Sequence, residues 1–149
     1  MTGELGDLVC FSHLRWGFVF QRPNPLMMRF ARRQRVFFVE EPVFEELESA
    51  SLSQSTSPEG VTVCVPRLPN GTDAAAALHI LRTLVDELFE RERIRADVLW
   101  FYTPMALSFA RHLSAPVVVY DCMDELGAFR GAPPELTELE RELFERADL

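Results

Sequence analysis

Three short groups of polar residues carry most of the chemistry this sequence can offer. The first is Ser12-His13-Leu14-Arg15-Trp16-Gly17, followed by Gln21-Arg22. The second is Tyr102-Thr103-Pro104, and the third is Asp121 with Asp124 and Glu125. Arg15 and Arg22 suit a phosphate or a sugar hydroxyl. Trp16 can stack on a sugar ring, and Gln21 offers both a donor and an acceptor. Asp121 or His13 can act as a general base. Asn24-Pro25 and Thr103-Pro104 each pair an N-cap with a first-turn proline, and the N–H groups of a helix start attract anions. Structural readings stand beside these. Trp16 and Phe18 can cap a sheet edge, Arg22 can pair with Glu40 or Glu41, Asp121 can cap a turn, and His13 can be a satisfied structural histidine.

These groups matter because each one follows an apolar run. Leu8–Ser12, Val36–Val39, Val61–Val65, Asp97–Phe101 and Pro116–Tyr120 read as strands. Their near-continuous apolar character fits strands covered on both faces. Helices are predicted from Asn24, over Ala74–Arg93, from Thr103 to about His112, and from Pro134 to Arg146. The longest places Ala77, Leu78, Leu81, Leu84, Val85, Leu88 and Phe89 on one face. In the last, Glu138-Arg141 and Glu142-Arg146 sit at pairing distance. Glu45–Gly60, rich in Ser and Glu, reads as a loop, and Pro66–Gly71 as a turn.

Alternating strands and helices imply a doubly wound, mostly parallel α/β sheet of Rossmann type, three layers deep. In such sheets ligands bind beyond the carboxyl ends of the strands, where strand order reverses. That crevice falls between the first and fourth strands, beside the three polar groups. The closing Ala147-Asp148-Leu149 resembles the start of the fourth strand, Asp97-Val98-Leu99. A sixth strand is therefore expected to follow, with the chain read as one domain, 1–149, ending before it.

Composition narrows the function. The chain has 149 residues, 48% of them apolar, and a net charge of −8 with no lysine. An acidic surface repels phosphate backbones, so nucleic-acid binding is not expected. Cys10, Cys64 and Cys122 are far apart and lack zinc-ligand spacing, so no metal site is expected and the chain reads as reduced and cytosolic. No leader is expected, and no apolar run reaches membrane-spanning length. The loop after the first strand is not Gly-x-Gly-x-x-Gly, and the P-loop and Gly-x-Ser-x-Gly motifs are absent.

Trp16-Gly17-Phe18-Val19-Phe20-Gln21-Arg22-Pro23-Asn24, with Val36-Phe37-Phe38-Val39-Glu40-Glu41-Pro42 after it, resembles the start of a group of bacterial GT-B glycosyltransferases of polysaccharide and teichuronic-acid biosynthesis. Tyr102-Thr103-Pro104-Met105-Ala106, the stretch Val119 to Leu126, and the closing Leu143 to Leu149 extend the likeness over nearly the whole chain. One position departs, since relatives often carry His where this chain has Pro25. The resemblance implies an acceptor-side domain facing a donor-binding domain that lies outside this sequence. It implies no bound cofactor here, with a nucleotide-sugar as co-substrate and a glycan or lipid-linked acceptor as partner. Membrane attachment would be at most peripheral, as no basic amphipathic helix is evident. The segment from Trp16 to Arg22, Thr103 and Asp121 would line the acceptor side. A stand-alone, non-catalytic docking domain that pairs with a separate donor domain is the alternative. A small-molecule enzyme of another Rossmann type is weakened by the missing glycines.

Overall fold

A computed structural model describes residues 5–18, 20–122 and 134–149. Seven strands form one mostly parallel sheet. The strands are β1 (Asp7–Ser12), β2 (Val36–Glu40), β3 (Val43–Glu45), β4 (Ser51–Thr56), β5 (Val61–Pro69), β6 (Ala96–Phe101) and β7 (Val117–Tyr120). The helices are α1 (Pro23–Phe30), α2 (Ala74–Arg91), α3 (Leu107–Ala110) and α4 (Glu135–Arg146).

The parallel strands run β5-β2-β1-β6-β7. Strand order therefore reverses between β1 and β6, the first and fourth of the expected strands. β1 and β2 are buried along their whole length, as their unbroken apolar runs require. One face of the sheet meets α2, α3 and α4 around Phe11, Val85, Leu88, Phe101, Leu107 and Leu143. The opposite face meets α1, where Met27 is fully buried among Leu8, Cys10, Phe38 and Tyr102. Phe11 and Phe101 stack across β1 and β6, with ring centroids 5.2 Å apart.

Several expected boundaries move. Glu45–Gly60 is not a loop, because it holds β4, paired antiparallel with β5 from Ser51↔Arg67 to Thr56↔Thr62. β4 is a polar edge strand, exposed except at Leu52, so it lacks the apolar alternation that marks a half-buried strand. β5 runs on through Pro69, replacing the expected turn at Pro66. Val39 pairs with Cys64 and Val43 with Arg67, so β2 and β3 together use one more residue than β5 does. That extra residue makes a bulge at Glu40–Pro42.

α1 starts at Pro23, not Pro25, and Asn24 is not its cap. After Thr103 the chain makes a 3₁₀ turn over Pro104–Ala106 and only a four-residue α3. In α2, Leu78 is exposed while the other expected apolar positions pack inward or lie half-buried. Asp73 caps that helix through Ala76 N–H, 2.8 Å. Arg141 pairs with Glu138 as spaced. Glu142 instead reaches Arg111 at 2.7 Å, while Arg146 donates to the carbonyls of Arg111 and Leu113. Asp148 N–H donates to Val118 O at 2.7 Å and Tyr120 N–H to Leu149 O at 2.9 Å, so the last residues lie along β7.

Burial sets the titration of the inner thiols. It pushes Cys64 from 9.0 up to about 12, with Arg91 opposing. It raises Cys10 well above its ordinary value too, with the charge of Asp121 adding to the effect. The folded chain therefore holds these protons more tightly than the unfolded chain. Their stabilising contribution is complete below the unfolded value near 9.0 and is lost as pH rises toward about 12. Unfolding by urea should show stability falling across that window. At mildly alkaline pH a thiol reagent should label Cys122 alone in the native chain and all three cysteines in denaturant. Fast labelling of Cys10 or Cys64 in the native chain would contradict this packing.

Candidate functional site

The connection from β1 to α1 is held by one buried carboxylate. Glu40, at the end of β2, is 6% exposed. Its Oε2 accepts the Trp16 N–H at 2.8 Å, and its Oε1 accepts Arg15 Nη1 at 3.2 Å. Arg15 also donates to the Glu41 carbonyl and, at 3.3 Å, to that of Pro42. The guanidinium thus spans the bulge between β2 and β3 and donates to its carbonyls. Ser12 Oγ starts the turn by accepting Leu14 N–H at 2.9 Å.

Asn24 braces the far end of the same segment. Its side chain is buried, donates to Trp16 O at 3.0 Å and accepts Gln21 N–H at 2.9 Å. The amide is used on the loop preceding the helix, which is why it does not act as the cap. Trp16 lies edge-on to Phe38, with centroids 5.1 Å apart, so much of its ring is committed to the sheet. Gly17 is exposed, and a Cβ there would meet nothing within 4 Å. Gln21 is exposed, and His13 lies half-buried in the turn.

So held, the segment delivers Arg22 across the switch point. Its guanidinium forms an ion pair with Asp121, just past β7. The arginine side chain is 50% exposed and the carboxylate 18%. Such a pair contributes little to stability, on the order of 1 kcal/mol. It is open enough for a ligand to exchange with either partner. Tyr102 N–H donates to Phe11 O and Asp121 N–H to Phe101 O, both at 2.9 Å. These bonds carry the sheet ladder one residue past β6 and β7, and so place Tyr102 and Asp121 at the crevice.

Tyr102 is 1% exposed, and its hydroxyl has no hydrogen-bond partner among the described residues. The indole N–H of Trp100, two residues earlier on the same face of β6, is buried and unpartnered in the same sense. Their ring centroids are 6.2 Å apart. Burial pushes the Tyr102 phenol well up, Cys10 and the charge of Asp121 add to this, and Arg22 and the neighbouring Trp100 indole oppose it. Thr103 is buried and its Oγ1 accepts Met105 N–H at 3.2 Å, as expected of a cap.

The expected residues therefore divide. Arg22 and Asp121 pair at the switch point with Tyr102 buried near them, while the side chain of Thr103 is spent on its cap. Arg15 and Trp16 sit beside them, bound to the framework of the crevice. Asp124 and Glu125 lie outside the described residues. Sequence reasoning passed over Glu40, because an acid at the end of a second strand has a familiar use only behind a glycine-rich turn. It also passed over the shared face of Trp100 and Tyr102, which their i, i+2 spacing on a strand gives directly. Among the described residues no three His, Cys, Asp or Glu side chains gather as metal ligands. No helix there is long and apolar enough to cross a membrane. No protein-family model matches the chain, and no curated protein matches it.

Replacing Glu40 with alanine strands the Trp16 N–H and releases Arg15, and should cost about 2 kcal/mol. Arg15, 31% exposed at its side chain, can rehydrate, which limits the loss. Urea unfolding followed by tryptophan emission should show an earlier midpoint and a red-shifted native spectrum. An unchanged midpoint would mean that the carboxylate does not anchor the segment.

Proposed function

We propose that this domain is the acceptor side of a glycosyltransferase that moves a sugar from a nucleotide-sugar onto a surface-polysaccharide or lipid-linked acceptor. The observation that carries this reading is the Arg22–Asp121 pair, which joins the β1–α1 segment to the end of β7 at the switch point. The motif resemblance supports it too, since Arg22, Tyr102 and Asp121 each lie in a stretch that carries the likeness.

The chemistry assigned to the site is direct. An acceptor hydroxyl takes the place of one Arg22 hydrogen bond at Asp121. As its oxygen bonds to the anomeric carbon of the donor, its proton passes to the Asp121 carboxylate. The bond from that carbon to the phosphate oxygen breaks, and the nucleotide leaves with the electron pair. Arg22 orients the carboxylate. His13 is the other candidate base, at the turn after β1. The donor would be held by a further domain, and the reaction would run on the cytoplasmic side.

The protein encoded by the reading frame containing this chain should transfer sugar from one member of a nucleotide-sugar panel. Asp121→Asn should lower kcat by about 10²–10⁴-fold while leaving the urea midpoint nearly unchanged. A folded protein with neither transfer nor donor hydrolysis would favour the non-catalytic docking reading.

A further inference from the structure

The charge of this chain is unevenly placed. Residues 8–39 contain six arginines and no Asp or Glu, a local +6, while the remaining residues carry −14 of the net −8. Three of the six are engaged: Arg15 with Glu40, Arg22 with Asp121 and Arg35 with Asp7. Arg29, Arg32 and Arg33 are exposed and make no ion pair with any described residue. Arg29 lies in the last turn of α1, and Arg32 and Arg33 lie in the turn that follows it.

At the other end of α1, Phe18 and Phe20 are 82% and 70% exposed. They project from the segment whose two ends are tied by Glu40 and Asn24. A tied segment holds its phenyl rings in water rather than letting them fold back onto the sheet. The eight-residue helix, about 12 Å long, separates the rings from the arginines along the chain.

We propose that this face docks the domain onto a membrane surface containing anionic lipid. Phe18 and Phe20 enter the interfacial layer, and Arg29, Arg32 and Arg33 rest against the headgroup phosphates. Charge complementarity selects this occupant. An anionic surface repels the acidic remainder of the chain and attracts the three arginines that no described carboxylate neutralises. The β1–α1 segment is also a wall of the crevice, so docking brings the crevice mouth to the lipid surface. This inference stands whether or not the domain transfers sugar.

Vesicle flotation with the intact chain tests it. Binding is expected to vesicles of equal parts phosphatidylcholine and phosphatidylglycerol, weakly if at all to phosphatidylcholine alone, and is expected to fall at high salt. The triple change Arg29→Ala, Arg32→Ala, Arg33→Ala should weaken binding on the order of 100-fold. Phe18→Ser with Phe20→Ser should weaken it by about tenfold or more. These positions are exposed, so thermal unfolding should be nearly unaltered in both variants. Absence of flotation by the folded wild-type chain would overturn the proposal, as would undiminished binding by either variant. Equal affinity for the water-soluble headgroup alone would mark a simple anion site instead. Loss of a self-associated form on changing the two phenylalanines, with no loss of vesicle binding, would mark a contact between copies of the chain.

Discussion

The geometry of the crevice depends on one buried carboxylate, Glu40. Within hydrogen-bond reach it meets a backbone N–H from Trp16 and the guanidinium of Arg15. A carboxylate so deeply buried is tolerable only with such partners. By taking them from the β1–α1 connection it turns a solvation problem into a positional constraint. The bulge that follows it supplies the carbonyls of Glu41 and Pro42, which complete the coordination of Arg15. Asn24 then ties the same segment at its other end. Arg22 reaches Asp121 because both ends are fixed.

The sheet sets the other half of the arrangement. Among the described residues the connection from β2 to β5 is built of short strands, where a doubly wound fold commonly has a helix. The helices there are unequally shared, with α2, α3 and α4 on one face and α1 on the other. Trp16, Trp100 and Tyr102 gather on the face that α1 covers. Two of these aromatics, Trp100 and Tyr102, bring buried polar atoms that have only each other nearby among the described residues. Buried donors of this kind are costly unless something meets them, which is why the crevice beside them draws a functional reading.

What the sequence made legible follows from how each element buries its side chains. β1, β2 and α2 were plain, because full burial leaves an unbroken apolar run and a one-sided helix leaves a stripe. The strand order followed from right-handed crossovers, and with it the location of the switch point. β4 was not legible, since Ser51, Ser53, Gln54, Ser55 and Thr56 face solvent at a sheet edge and only Leu52 packs inward. Asn24 looked like a cap because Asn-Pro is a common helix start, yet its amide serves Trp16 and Gln21. Arg22 was weighed against Glu40 and Glu41, which lie near it in sequence. Its partner is 99 residues away, a pairing fixed by topology and not by local pattern.

The most direct measurement is a ¹⁵N–¹H spectrum of the chain titrated with short oligosaccharides and with nucleotide-sugars. Saturable shifts are expected from a glycan at Trp16, Arg22, Tyr102, Thr103 and Asp121, with α2 silent, and they should weaken in Asp121→Asn. Saturable shifts that cluster away from the β1–β6 junction, or a folded chain that ignores every glycan offered, would contradict an acceptor site at the switch point.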